Sequence, residues 1–320
     1  MKKHSNIPIF IPHLGCKNDC VFCNQRSITG QLSETTVKEV KDTIDRYLTY
    51  LKNRDAEIAF FGGSFTGLQI EKQTEYLKTA FPYLQSGKVS GIRLSTRPDY
   101  INEEILQNLK NYGVKTIELG VQSMCDDVLL ASKRGHLSAA TEKSCRLIKS
   151  FGFSLGLQMM VGLPEDTREK SIYTARRLIE LGAEFLRIYP TCVLYDTVLY
   201  SMYNQGTYTP LSIPEAVETS YELTKLFKEH NIPVIRTGLQ STDTLPDSVA
   251  AGPYHPAFGE LVASRFLRDE LEKSVLNSPD KDITFYCPEN MISKYTGQKR
   301  CNIDYLEQKY NIRLHIKPLK

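Results

Sequence analysis

Gly15-Cys16-Lys17-Asn18-Asp19-Cys20-Val21-Phe22-Cys23-Asn24 packs three thiols into eight residues, directly after an apolar run from Ile7 to Ile11. Thiolates bind soft iron and zinc, and gaps of two or three residues let one short loop wrap a single metal centre. The number three is informative. Structural zinc sites and electron-transfer clusters fill every metal position with protein ligands. Three cysteines without an evident fourth partner therefore predict a metal centre with one coordination position open to a substrate or cofactor. The spacing leaves other readings open: zinc with a distant fourth ligand such as His13, a Cys20/Cys23 redox pair, or unrelated buried thiols.

Outward from this loop the chain repeats a simple unit. Ile7-Pro8-Ile9-Phe10-Ile11 reads as a short buried strand feeding the cysteines. Ser33 reads as the N-cap of a helix whose apolar residues Val37, Val40, Ile44, Leu48 and Leu51 recur at three- and four-residue spacing. Further strands are predicted at Glu57 to Phe61, Ile92 to Ser95, Thr116 to Val121, Phe153 to Val161 and Phe185 to Tyr189, with another starting at Val234-Ile235. Helical sequence separates them, as around Tyr76 to Phe81 and Asn102 to Asn111. Alternation at this period predicts parallel βαβ units, and the largely apolar strands predict burial on both faces. Six such units suit an α/β fold of the partial parallel (βα)6 TIM-like barrel type better than an open doubly wound sheet. In a barrel the loops after the strands share one rim. The unusual residues fall there: the cysteines, Gly62-Gly63, Arg97, Gln122-Ser123 and Gly162-Leu163-Pro164.

The 320 residues are long enough for such a barrel, of about 250 residues, plus an appendage. The expected division is 1–240 for the barrel and 241–320 for a C-terminal αβ extension. Breakers at Leu245-Pro246-Asp247 and Gly252-Pro253-Tyr254-His255-Pro256 open the extension. A helix from Ala257 to Lys273 follows, then strands at Ile283 to Tyr286 and Arg313 to Ile316. Net charge is +3, but residues 281–320 carry eight Lys or Arg against four Asp or Glu. That basic tail leans towards an anionic partner. Eight cysteines, five of them scattered, do not form a secreted disulfide framework. No apolar run reaches the length of a membrane span, and Pro8 and Pro12 break any signal-peptide core. The expected location is cytoplasmic, with no membrane partner.

The C-x-x-x-C-x-x-C loop with an aromatic residue before the last cysteine resembles the signature of the radical S-adenosylmethionine enzymes. The resemblance implies that Cys16, Cys20 and Cys23 hold a 4Fe-4S cluster whose fourth iron is chelated by S-adenosylmethionine. One electron, supplied externally by a flavodoxin- or ferredoxin-type donor, then cleaves the sulfonium and yields a 5′-deoxyadenosyl radical that abstracts hydrogen from the substrate. Within this superfamily the chain looks most like the radical domain of the elongator catalytic subunit, which modifies wobble uridine in tRNA. The shared text includes Gly62-Gly63-Ser64-Phe65, Thr96-Arg97-Pro98-Asp99-Tyr100, Glu118-Leu119-Gly120-Val121-Gln122-Ser123, Lys133-Arg134-Gly135-His136 and Ile188-Tyr189-Pro190-Thr191, in the family's order over residues 5 to 240.

Carried over by position, the main chain of Gly62, Gly63 and Ser64 contacts the methionyl amino group, and Arg134 pairs with the methionyl carboxylate. Gln122 binds the ribose, Gln158 faces the nucleoside, and Met160, Val161 and Gly162 offer backbone contacts to adenine. Ser95 stands where relatives tend to carry a ribose-binding glutamate. The chain departs from the elongator family in its Cys16–Cys20 spacing. Residues 241–320 are too short for that family's acetyltransferase domain and show no acetyl-coenzyme-A loop. RNA is thus a candidate substrate. A small tetrapyrrole is the alternative, from a weaker likeness to oxygen-independent coproporphyrinogen dehydrogenases. Non-catalytic iron-sulfur or zinc RNA-binding proteins and a disulfide oxidoreductase are the rival classes. Cys125, Cys145 and Cys192 read as core or half-buried thiols, a cavity-facing Cys192 being the lesser alternative. Cys287 and Cys301 are candidates for a second metal site, and His255 for the active-site wall.

Overall fold

Alternation along the strands, more than their overall apolarity, sets the architecture. The computed structural model describes residues 5–11, 16, 20–24, 35–51, 55–239 and 245–319. Its main sheet runs through β1 (Ser5–Ile11), β2 (Ala56–Gly62), β3 (Gly91–Thr96), β4 (Val114–Gln122), β5 (Ser154–Val161), β6 (Phe185–Pro190) and, past the short β7 (Val193–Leu194), β8 (Val234–Thr237). The spatial order is β1-β2-β3-β4-β5-β6-β8, every pair parallel. Each crossover steps one strand in the same direction, so the sheet curls round. β1 and β8 each have one neighbour in it, which makes the barrel partial. Among the described residues the sheet has seven strands: the segment that begins at Val234 pairs with β6, although only four residues long.

One strand face packs under the helices. Ile7, Ile9, Ile58, Phe60, Ile92, Leu94, Ile117, Leu119, Leu155, Leu157, Leu186 and Ile188 all enter one apolar core. Burying each such side chain contributes roughly 1.5–3 kcal/mol relative to leaving it exposed. The residues of opposite parity face the barrel interior, where apolar Phe10, Phe61 and Met160 stand among many polar and charged residues. The latter include Glu57, Arg93, Ser95, Glu118, Gln122, Gln158 and Arg187. Largely apolar strands were expected to be buried on both faces; the inner face also buries polar and charged side chains beside its apolar ones, because it surrounds a cavity rather than a packed centre.

The connecting helices are α1 (Val37–Tyr50), α2 (Ile70–Gln85), α3 (Glu103–Asn111), α4 (Asp126–Ala131), α5 (Ser138–Ser150), α6 (Arg168–Glu180), α7 (Val198–Asn204) and α8 (Ile213–Glu229). The first is capped by Thr36, not Ser33, which lies outside the described residues. The Thr36 hydroxyl accepts from the Glu39 amide while the Glu39 carboxylate accepts from the Thr36 amide, a reciprocal capping box.

Beyond the barrel come α9 (Leu245–Ser248), β9 (Val249–Ala251) and α10 (Phe258–Leu276). β9 pairs antiparallel with β7, an element the sequence reading did not anticipate. After α10 follow β10 (Asp282–Cys287), α11 (Ile292–Thr296), α12 (Cys301–Tyr310) and β11 (Arg313–Pro318). The expected αβ appendage is thus present, with β10 and β11 parallel. It has its own apolar cluster, in which Leu271 and Val275 of α10 meet Ile283, Ile303, Leu306 and Leu314.

Candidate functional site

The C-terminal ends of the sheet strands enclose a cavity of about 300 Å³. Its wall takes Phe10, Phe61, Ser95, Gly120, Gln122, Gln158, Met160, Arg187 and Tyr189 from the strands, and Cys16, Cys20 and Cys23 from the loop after β1. Three thiols that are adjacent in sequence therefore face residues drawn from six strands. Gly62, Gly63, Ser64, Thr96, Arg97, Arg134 and Cys192 complete much of the wall.

Glycine is required where β1 and β2 end. Gly62 has φ +97°, and a Cβ there would stand 2.8 Å from the Ile11 carbonyl oxygen. That carbonyl accepts from the Gly63 amide at 2.7 Å, so any side chain would part the two strand ends. Next to this turn, the buried Ser64 hydroxyl accepts from Cys16 Sγ at 3.3 Å. Val21, between the second and third cysteines, is held from outside the cavity. The Val21 amide donates to the Ser132 carbonyl, and the Val21 carbonyl accepts from the Leu199 amide of α7 at 2.7 Å.

Two buried guanidiniums approach Cys20. Arg97 is 2% exposed and makes a two-point pair with Asp99, both N–O distances being 2.9 Å. Its Nη1 lies 3.7 Å from Cys20 Sγ and its Nη2 donates to the Arg134 carbonyl. Arg134 is different. Its Nη1 lies 3.3 Å from Cys20 Sγ and its Nη2 donates to the Gly120 carbonyl, but Nε has no partner. Among the described residues no carboxylate stands within ion-pair distance of it. A buried cation of this kind is costly unless an anion reaches it.

The backbone around Arg134 is shaped to admit it. A Cβ at Gly120 would stand 3.2 Å from both Arg134 Nη2 and Gln122 Nε2. The register shifts between Gly120 and Gln122, and Gln122 takes φ +71°, which is uncommon for a side chain with a Cβ. That turns the Gln122 amide toward Gln158, whose Nε2 donates to Gln122 Oε1 at 3.4 Å. Such a conformation costs about 1–3 kcal/mol and persists only where surrounding structure holds it.

Below these groups lies a ladder of charges. Glu118, 3% exposed, pairs with Arg93 Nη2 at 2.8 Å and Arg187 Nε at 2.6 Å; Arg93 Nη1 reaches Glu57 at 3.2 Å. Two carboxylates balance two guanidiniums, and Arg187 carries the ladder up into the cavity wall. Nearby, His136 is buried with Nε2 unpartnered. Burial, reinforced by the charges of Arg134 and Arg97, pulls its pKa down from 6.5 to about 4.

Of the residues singled out from the sequence, the three cysteines, Gly62, Gly63, Ser64, Ser95, Gln122, Arg134, Gln158 and Met160 all line this one cavity. Val161 and Gly162 do not. Val161 is in the apolar core and its carbonyl accepts from the Thr191 amide, while the Gly162 amide donates to Asp166 and its carbonyl accepts from Tyr208. Cys192 lines the wall, its thiol pushed up to about 12 by burial. Cys125 and Cys145 lie away from it; Cys287 is buried in the appendage and Cys301 is exposed. His255 lies just before α10, its Nδ1 accepting from the Ala257 amide, and is not part of the cavity wall. His13 lies outside the described residues. Arg187, Tyr189 and Thr96 were not singled out as site residues. The signal for the first two was available in the strand parity that they share with Gln158 and Met160.

The donor set suits an iron-sulfur cluster. Three soft thiols share one wall, the ligand type that iron-sulfur clusters take. Among the described residues no three His, Cys, Asp or Glu side chains are grouped to hold one metal ion. A cubane asks for something else, since each thiolate takes its own iron. Among the described residues no helix is long and apolar enough to cross a membrane.

Comparison with known proteins follows the same outline. The Radical SAM superfamily profile matches residues 10–178, and the Radical SAM C-terminal domain profile matches residues 183–268. Elongator complex protein 3 of Homo sapiens is 32% identical over 297 residues, covering 79% of this chain and 53% of that protein. The tRNA uridine(34) acetyltransferase of Methanocaldococcus jannaschii is 28% identical over 182 residues, covering 51% of this chain and 34% of that protein. The chain thus spans about a third to a half of these curated relatives. Among solved structures, the archaeal Methanocaldococcus infernus Elp3 aligns with a TM-score of 0.68 at 21% identity, covering 85% of this chain and 64% of the other. Coproporphyrinogen III oxidase from Escherichia coli aligns with a TM-score of 0.52 at 18% identity, covering 72% and 53%. At those identities the likeness is one of fold.

Proposed function

Since this chain belongs to the radical SAM superfamily, we propose that Cys16, Cys20 and Cys23 hold a 4Fe-4S cluster at the mouth of the barrel and that the enzyme modifies RNA, with tRNA the favoured substrate. Residues 1–240 carry this chemistry and residues 241–320 form an extension to it. When bound, the cluster supplies the electron that splits S-adenosylmethionine into methionine and a 5′-deoxyadenosyl radical, which abstracts hydrogen from the substrate. The electron comes from a small external redox protein.

The observation that carries the reading is Arg134. Its buried guanidinium lines the cavity, touches Cys20, lacks a carboxylate among the described residues and keeps one N–H without a partner. A zwitterionic ligand with a carboxylate answers all four features, and the planar fork gives it a fixed orientation. The turn at Gly62, Gly63 and Ser64 presents main chain to the ligand's amino group. Gln122 and Ser95 take the ribose, with Gln158 beside them. The adenine contact falls to Met160, because the carbonyls of Val161 and Gly162 are engaged within the protein. Glu118 does not replace the glutamate that relatives tend to carry at Ser95, since it is held by two arginines. The wall would hold the ligand and substrate in line, which is the protein's main contribution to such chemistry.

The preference for RNA rests on the names of the curated relatives, which include tRNA uridine(34) acetyltransferases. Anaerobic reconstitution with iron and sulfide, followed by dithionite and S-adenosylmethionine, tests the core of the proposal. The expected result is 5′-deoxyadenosine, lost in Cys20→Ala. Bulk tRNA is expected to stimulate turnover. Product formation unchanged in Cys20→Ala would dismiss the cluster assignment.

A further inference from the structure

We infer that the solvent-facing side of the β10–β11 pair is a platform for single-stranded RNA, separate from the barrel cavity. The inference rests on RNA being the substrate, and it assigns a task to the basic tail that the radical chemistry leaves unused. The two strands alternate cleanly. Ile283, Cys287 and Leu314 point inward against α10 and α12, with Phe285 and Ile316 partly buried beside them. The opposite parity is therefore a solvent face of six residues in three cross-strand pairs: Asp282 with Arg313, Thr284 with His315, and Tyr286 with Lys317.

The chemistry of these pairs fits one class of ligand. Tyr286 is 53% exposed on this face, an unusually open position for so large a ring. Its cross-strand neighbour is a lysine. Arg313 lies four residues along the same strand, about 13 Å away at ordinary strand rise. Among the described residues neither Arg313 nor Lys317 has a carboxylate within ion-pair distance. The one acid on the face, Asp282, is turned to His315 at 3.2 Å. An exposed ring flanked by unpaired cations is how sheets bind unstacked bases: the ring takes a base and the cations take the phosphates. β10 and β11 each have only one strand neighbour among the described residues, so the face is not enclosed by further sheet. A duplex presents no free base to such a ring, whereas a loop or a single-stranded end does.

Fluorescence anisotropy of the full chain with a labelled twelve-residue oligouridylate, competed by bulk tRNA, tests the platform. Wild type is expected to bind with an affinity that falls as salt rises. Tyr286→Ala is expected to weaken binding about tenfold, and Tyr286→Phe to restore most of it. Arg313→Glu with Lys317→Glu is expected to weaken it further and to reduce the slope of log affinity against log salt by about 1.4. Substrate-free formation of 5′-deoxyadenosine is expected to be unchanged in every variant, which also verifies their folding. If wild type binds RNA and the variants match it, the platform is wrong while the RNA reading stands. If wild type binds no RNA but still forms 5′-deoxyadenosine, both RNA proposals fall and the radical chemistry survives. A change in sedimentation of Tyr286→Ala with RNA binding unaltered would reassign the face to self-association.

Discussion

Arg134 Nη1 stands 3.3 Å from Cys20 Sγ, so the buried cation without a carboxylate partner touches one of the thiols proposed to hold the cluster. If its missing anion is the ligand's carboxylate, truncation removes ligand affinity and costs the fold little. Arg134→Ala is expected to weaken binding of S-adenosylmethionine by roughly 10- to 100-fold, the range for losing charged hydrogen bonds. Arg134→Lys retains the charge without the fork and is expected to fall between. Equilibrium dialysis on the reconstituted protein measures both. Equal affinity in all three proteins would remove Arg134 from the site.

Gly120 offers a gentler perturbation of the same group. A methyl there meets Arg134 Nη2 and Gln122 Nε2 at 3.2 Å, side-chain atoms that can move by a few tenths of an ångström. Gly120 does not have a positive φ, so alanine strains no backbone. Gly120→Ala is expected to leave the unfolding free energy from urea titration within about 1 kcal/mol of wild type while weakening S-adenosylmethionine binding several-fold. A stability loss without an affinity loss would contradict the arrangement.

The unequal legibility of this chain has physical causes. Each βα unit is written in contiguous residues, so the repeat and the rim positions of the cysteines, Gly62 and Gln122 could be read locally. The ladder of Glu57, Arg93, Glu118 and Arg187 could not. It depends on cross-strand register, in which Ser95 lies opposite Glu118 and Gln158 opposite Arg187. A strand with one apolar face and one charged inner face resembles an ordinary half-exposed strand until the curl of the sheet is known. β7 and β9 escaped notice because two or three residues carry no period and their pairing spans more than 50 residues of chain. The misplaced cap at Ser33 was avoidable. Thr36 has Glu39 three residues on, the pattern of a reciprocal cap, and Ser33 has a threonine there.

Asp99 carries the burden of neutralising Arg97. Arg97 is among the largest fully buried side chains, and Asp99 holds it at two points of 2.9 Å. Removing one partner of a buried pair leaves an uncompensated charge. Asp99→Ala is therefore expected to cost about 3 kcal/mol in urea-induced unfolding, somewhat reduced by the partial exposure of Asp99. A loss below about 1 kcal/mol would mean that Cys20 and Tyr100 suffice as neighbours for the guanidinium.

Glu118 sits between two arginines and should be more sensitive still. Glu118→Ala leaves Arg187 without its carboxylate and Arg93 with Glu57 alone inside the barrel, with an expected cost of about 4 kcal/mol. Replacing Glu118, Arg93 and Arg187 jointly by Met removes all three charges, leaving Glu57 the one to relax toward solvent, and is expected to recover much of that stability. Ligand-dependent turnover should not recover, because Arg187 lines the cavity. Comparing unfolding midpoint with 5′-deoxyadenosine yield separates the two roles.

His136 makes the fold sensitive to mild acid. Burial first, and then the charge of Arg134, lowers its pKa from 6.5 to about 4. Between those values the unfolded chain binds a proton that the folded chain refuses. Stability is therefore fully present above pH 6.5 and falls as pH drops towards 4, by about 1.4 kcal/mol per pH unit from this group alone. Between pH 6.5 and pH 5 the unfolding free energy is expected to drop by roughly 2 kcal/mol beyond the contribution of the carboxylates. His136→Gln keeps a polar side chain without a titrating proton, and is expected to flatten that part of the profile whatever its effect at pH 7. Urea titrations at four pH values on both proteins provide the comparison, and parallel profiles would show that His136 takes up its proton equally well in the folded state.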